Sequence, residues 1–148
     1  MVLVKKCKEI PEQDLFQYFD VAGNKRTVGS ADINNYLKQI TNHDFTAKDF
    51  RLCTGSVNTL SAFQEFKIPK NQSQSTRKIN EVLDFVASNL GNTRTVCKKY
   101  YVHPTVIAAY NKGTICKYKS KKTVNMTQPV ENSLVKLLKN EAISETYV

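Results

Sequence analysis

The chain has 148 residues, 41% of them hydrophobic, and a formal net charge of +9, enough for one domain with a packed core or for two small lobes. No stretch approaches the roughly 18 apolar residues of a membrane span, and the opening "MVLVKKCKEI" is too short and too soon charged for a secretory signal. Cys7, Cys53, Cys97 and Cys116 stand far apart, with no C-x-x-C pair and no histidine at zinc spacing. They read as reduced thiols of an intracellular protein, not as disulfides or a metal site.

In chain order, residues 2–9 read as the end of a helix stopped near Pro11, and "LFQYF" (15–19) as a short strand-like run of aromatics. "VAGNKRTVG" (21–29) is a turn-rich connection. Ser30 is placed to cap a helix through "ADINNYLKQI", with Ile33, Leu37 and Ile40 sharing one face that should enter a core. Thr46 and Asp49 have capping-box spacing and open a further helix to about Phe63. "KIPKNQSQS" (67–75) is polar and contains proline, as loops do. A helix from about Thr76 to Leu90 carries a stripe of Ile79, Leu83, Val86 and Leu90, and Gly91 and Asn92 are natural terminators. A short helix is expected from Arg94 to about Tyr100, and another from Pro104 to Asn111, since proline suits a first helical turn. The segment 112–127 is a basic, poorly ordered linker. Pro129 opens a last helix to about residue 141, with Val130, Leu134, Leu137 and Leu138. The fold class is mainly α, with at most a short strand element near the N-terminus.

Charge is concentrated in one block. Between Asp84 and Glu131 there is no acidic residue, while Arg94, Lys98, Lys99, Lys112, Lys117, Lys119, Lys121 and Lys122 all lie there. A lysine-rich tract interleaved with Tyr110 and Tyr118 fits a polyanion. Nucleic acid suits it better than a membrane, because no strong amphipathic stripe accompanies it.

The same block holds the adjacent pair Tyr100 and Tyr101. A tyrosine can attack a phosphodiester if three needs are met. Its phenol, with a free pKa of about 10, must lose a proton. Cations must hold the charge growing on the phosphate, and arginine does so with two bonds at once. A general acid must protonate the leaving oxygen. "FTAKDFR" (45–51) sets Lys48 and Arg51 at i, i+3 on one side of a helix, and Asn92 stands at a helix end nine residues before Tyr101. Taken singly, such a basic pair is an ordinary surface feature, and an asparagine after glycine is an ordinary helix stop.

Taken in this order, "LFQYFD", "TVGSADINNYLKQIT", "DFTAKDFR" and "LGNTRTVCKKYYVHPTV" resemble the C-terminal catalytic part of a type IB DNA topoisomerase of the small bacterial and viral form. The resemblance runs from about Pro11 to Val106. It implies that Arg51 binds the scissile phosphate and that Asn92 donates to a nonbridging oxygen. It implies that Tyr101, in "YVHP", is the nucleophile that forms a 3′-phosphotyrosyl link, with Tyr100 in packing or a DNA contact. Lys48 falls near the scissile phosphate, and Arg94, Lys98, Lys99, Lys117, Lys119, Lys121 and Lys122 become DNA-binding candidates. His103 takes a structural or phosphate-contacting role without proton transfer, and His43 is a loop residue.

Two departures stand out. Leu52-Cys53 replaces the Thr-Trp that usually follows the arginine. A second arginine and a general-acid lysine, expected upstream in this family, have no counterpart here; Lys25 sits in a context that matches the segment after that lysine. The implied activity is DNA strand cleavage and rejoining, with supercoil relaxation only when those two residues are supplied, for instance by an N-terminal half from another chain. The implied partner is double-stranded DNA, with no cofactor, metal or membrane, and a monomeric state. The competing readings are a non-catalytic basic DNA-binding module and a tyrosine recombinase; the latter normally has histidine where Lys48 stands.

Overall fold

The computed structural model describes residues 16–66, 69, 71–118 and 128–146. The helix expected at 2–9 lies outside these residues, as do Lys119, Lys121 and Lys122. The fold is mainly helical, with one two-stranded sheet near the N-terminus. The chain divides into two compact units, Met1–Ala47 and Lys48–Val148. No helix among the described residues is long and apolar enough to cross a membrane.

In the first unit, β1 (Gln17–Phe19) pairs antiparallel with β2 (Lys25–Thr27), in the register Gln17↔Thr27 and Phe19↔Lys25. The connection expected at 21–29 therefore contains a strand, concealed in the sequence because "KRT" is short and polar. Asp20 closes the hairpin. Its carboxylate accepts from the Ala22 and Asn24 N–H groups at 3.0 and 2.9 Å and from Arg26 Nε at 3.2 Å. These bonds, led by the Asn24 N–H, hold the Asp20 carboxyl below its usual range. Gly23, at φ 80°, supplies the left-handed residue of the turn.

Helix α1 (Ser30–Thr41) is capped by Gly29, one residue before the expected Ser30. The Gly29 N–H donates to the Asp32 carboxylate at 2.8 Å, half of a capping box with the charge at the positive end of the helix. The helix ends at Asn42 in the left-handed conformation. Its apolar stripe does not enter a core: Ile33 is 44% and Ile40 59% exposed, and the helix has no buried residue.

Helix α2 (Ala47–Glu65) follows, and the second unit begins at its second residue, Lys48. Helix α3 (Gln72–Asn89) starts earlier than its apolar stripe suggested, because Asn71 Oδ1 accepts the Gln74 N–H at 2.9 Å and caps a polar first turn. Helix α4 (Arg94–Val96) runs directly into a π-helical turn (Cys97–Tyr101). Helix α5 (Pro104–Asn111) is capped by His103, whose Nδ1 accepts the Thr105 N–H at 3.4 Å. A 3-10 turn (Thr114–Tyr118) and α6 (Gln128–Thr146) follow.

One core joins these elements. Leu60 and Phe63 of α2 meet Leu83 and Val86 of α3, Cys97 of the π-helical turn, Val106 and Tyr110 of α5, and Leu137 of α6. Phe63 and Tyr110 stack with centroids 4.1 Å apart. Burial pushes the Tyr110 phenol up, and its Oη has no hydrogen-bond partner among the described residues. Burial also raises the Cys97 thiol, while Cys53 and Cys116 are exposed free thiols. The segment expected to be irregular from 112 starts with the ordered 3-10 turn. Ile115 is buried there, and Gln64 Nε2 donates to the Tyr118 carbonyl at 2.9 Å.

Candidate active site

The site is assembled within the second unit from α2, the end of α3 and the π-helical turn. Lys48 and Arg51 lie in the first turns of α2. The Arg51 guanidinium sits over the ring of Tyr101, with Cζ 4.7 Å from the centroid. Its Nη2 donates to the main-chain carbonyl of Leu90 at 2.5 Å. Asn92 Nδ2 donates to that same carbonyl at 3.0 Å. Leu90 is the C-cap of α3, so this oxygen belongs to the negative end of a helix and is a natural acceptor for a cation. Arg51, Asn92 and Tyr101, picked out separately in the sequence, are thus brought together around one carbonyl and one ring.

Arg51 keeps a donor in reserve. Its Nε is buried and has no hydrogen-bond partner among the described residues. An unsatisfied buried donor on a cation is costly, and an anionic oxygen satisfies it best.

The two tyrosines differ. Tyr101 is half-buried under Arg51, whereas Tyr100 is 42% exposed. Tyr100 has Lys48 Nζ 5.4 Å and Lys99 Nζ 5.1 Å from its ring centroid. One phenol therefore shares its surroundings with a planar guanidinium, the other with the ammonium groups of two exposed lysines.

An open groove is lined by Asn80 of α3, Arg94 and Thr95 of α4, and Lys98 and Lys99 of the π-helical turn. Arg94 is engaged here: Nε and Nη2 grip both oxygens of Asp84 at 2.6 and 2.5 Å. This bidentate pair holds the Asp84 carboxyl below its usual range. Lys98 and Lys99 are exposed on the π-helical turn, and Lys117 is exposed on the 3-10 turn. His43, in the first unit, lies in a bend against Phe45.

Three contributors were not read from the sequence. The Leu90 carbonyl is main chain, which no side-chain pattern reveals. Gly55 lies one helical turn after Arg51, and a Cβ there would overlap the carbonyl oxygen of Tyr101 and stand 2.9 Å from its carbonyl carbon. Ser56 is 2% exposed, and its Oγ accepts the His103 N–H at 2.9 Å. The available signal was a pair of small residues on the helix that carries Arg51.

The "DNA topoisomerase 1B" of Acanthamoeba polyphaga mimivirus is 28% identical over 114 residues, which cover 72% of this chain and 34% of that protein. The chain thus spans about a third of that relative's length. The family described as "Eukaryotic DNA topoisomerase I, catalytic core" matches residues 1–128. With most of its length matched by this family, the chain belongs to the type IB DNA topoisomerase catalytic-core family.

Proposed function

We propose that the chain carries the strand-cleaving half of a type IB topoisomerase site, with Tyr101 as nucleophile and double-stranded DNA as substrate. In the reaction, Tyr101 Oη loses its proton and bonds to the scissile phosphorus as the bond to the 5′ oxygen breaks. The product is a 3′-phosphotyrosyl link and a 5′ hydroxyl. Attack of that hydroxyl on the link reverses the step and reseals the strand, so no external energy is needed.

Arg51 and Asn92 stabilise the charge on the nonbridging oxygens of the five-coordinate phosphate. The observation that carries this reading is the Arg51 guanidinium over the Tyr101 ring with its buried Nε unpartnered among the described residues. A phosphate held by this guanidinium would lie beside the phenol. Holding Nη2 on the Leu90 carbonyl fixes the plane of the guanidinium before DNA arrives, so little reorganisation remains for the reaction. Lys48, Lys98, Lys99 and Lys117 supply sequence-independent phosphate contacts, joined by Lys119, Lys121 and Lys122 of the basic block and by Arg94 when it leaves Asp84. Relaxation of supercoils requires the second arginine and the lysine acid that the family resemblance implies, contributed by a further segment or another chain.

A duplex with a 5′-bridging phosphorothiolate tests this, because its leaving thiolate needs no proton. The wild-type chain is expected to form a covalent protein–DNA band with it and very little with ordinary DNA. Tyr101→Phe abolishes the band, and Tyr100→Phe retains it. The reverse pattern would assign the chemistry to Tyr100, and no band even with an added N-terminal half would leave a DNA-binding module without turnover.

A further inference from the structure

The backbone of Tyr101 rests directly on α2. At Gly55 the two chains approach so closely that a Cβ would overlap the Tyr101 carbonyl oxygen, lie 2.9 Å from its carbonyl carbon and come within 3.3 Å of its Cβ. The obstacle is main chain, which cannot swing away as a flexible side-chain end would. Gly55 follows Arg51 by four residues, so both project from the same face of α2. The face that presents the guanidinium to the Tyr101 ring therefore presents a bare Cα to the Tyr101 carbonyl one turn later. Two residues beyond Tyr101, the His103 N–H donates to the buried Ser56 Oγ at 2.9 Å. The chain is thus held on both sides of the nucleophile's exit from the π-helical turn, by contact at Gly55 and by a hydrogen bond at Ser56. A π-helical turn is a costly local geometry, which persists where tertiary contacts dictate it and is frequent at functional sites.

We propose that Gly55 and Ser56 form a seat that sets the height of Tyr101 against Arg51, which makes them positioning residues for strand cleavage. The inference rests on Tyr101 as the nucleophile. Any side chain at Gly55 lifts the Tyr101 backbone off α2 and takes the phenol away from the guanidinium. Arg51 itself, with its bond to the Leu90 carbonyl, is left in place. DNA affinity, which comes from the lysines, is left nearly unchanged, and the cleavage rate falls.

The test uses the full chain and the phosphorothiolate duplex, and compares wild type with Gly55→Ala, Ser56→Ala and Ser56→Thr. Three quantities are read: DNA affinity, covalent capture rate at saturating DNA, and the nuclear Overhauser contact between the Arg51 side chain and the Tyr101 ring. Gly55→Ala is expected to lose the ring contact and to slow capture by about 100-fold, the scale of a ~1 Å misplacement, at unchanged affinity. Ser56→Ala slows capture less, and Ser56→Thr, which keeps a hydroxyl, restores it. A Gly55→Ala chain that keeps both the ring contact and the rate overturns the seat. So does one whose affinity and melting temperature fall in step with its rate, as a general packing defect would produce. Should Gly55→Ala not fold, the Ser56 pair decides, and equal capture by Ser56→Ala and wild type overturns the proposal. If wild type captures no DNA even with an added N-terminal half, the reading of Tyr101 as nucleophile fails; the ring contact still decides the seat, its loss in Gly55→Ala supporting the geometry and its persistence overturning it.

Discussion

Helices α1 and α3 carry the same kind of apolar pattern and meet different fates. In α1, Ile33 and Ile40 share a face, and both remain largely exposed. In α3, Ile79, Leu83 and Val86 share a face and belong to one core cluster with residues of α2, α5 and α6, with Leu83 and Val86 wholly buried. The contrast shows what amphipathic spacing establishes: which side of a helix would be buried, given something to bury it. Whether a partner is present depends on the rest of the fold: α3 is built into the core of its unit, whereas α1 has no buried residue.

The largest expected effect that sharpens this contrast comes from truncation. Phe63→Ala removes a fully buried ring stacked on Tyr110 and should cost about 3–5 kcal/mol. Ile40→Ala, at an exposed position, should stay within about 0.5 kcal/mol. Urea denaturation of both variants measures the difference. A large loss from Ile40→Ala would mean that the α1 face is covered in solution.

The helix caps offer a smaller comparison. Asn71→Ala removes the side chain that holds the first turn of α3 and should cost about 1 kcal/mol. Asp32→Ala removes only the carboxylate that accepts the Gly29 N–H on a helix with no buried face, and about 0.5 kcal/mol is expected. The same denaturation series reads both. Equal costs would show that α1 is as tightly coupled to global unfolding as α3.

The smallest effects concern two exposed aspartates, one in each unit. Both carboxyls titrate below their usual range, Asp20 chiefly through the Asn24 N–H and Asp84 chiefly through Arg94. A depressed folded-state pKa gives stability that is present above the unfolded pKa, about 3.9 for aspartate, and is lost as pH falls through the lower folded value. Both groups lie at the solvent-exposed surface, so the contributions are small and screened by salt. Carboxyl titration by NMR distinguishes their causes. Arg94→Ala should return Asp84 toward the ordinary range, whereas Arg26→Ala should leave most of the Asp20 depression, since backbone N–H donors remain. Asp84→Asn, which frees Arg94, should also steepen the salt dependence of DNA binding by about 0.9, the slope of one added phosphate contact.

Much of the second unit was legible in the residues. Proline at the start of α5, Gly91 and Asn92 after α3, and the 79/83/86 stripe are local signals whose causes act within a few residues. The basic block was equally plain, because charge is additive along a chain. The strand "KRT" was not, since three polar residues carry no period and pair only because Asp20 closes the turn before them. The start of α3 was misplaced by four residues, because its first turn is polar and its cap, not its stripe, sets the boundary.

The sequence by itself determined the helical pattern, the concentration of positive charge and the order of an arginine, an asparagine and a tyrosine pair along the chain. It left the two tyrosines equivalent to any reading of their immediate composition. Tertiary structure decided that Tyr101 lies under Arg51 while Tyr100 lies by the ammonium groups of two exposed lysines. It decided that Arg51 and Asn92 share the Leu90 carbonyl, and that a glycine one turn beyond Arg51 admits the backbone of Tyr101. The reason is physical. Local propensity acts through neighbouring residues, whereas a shared carbonyl 39 residues from Arg51 and a main-chain contact between two helical segments exist only after the core has brought them together.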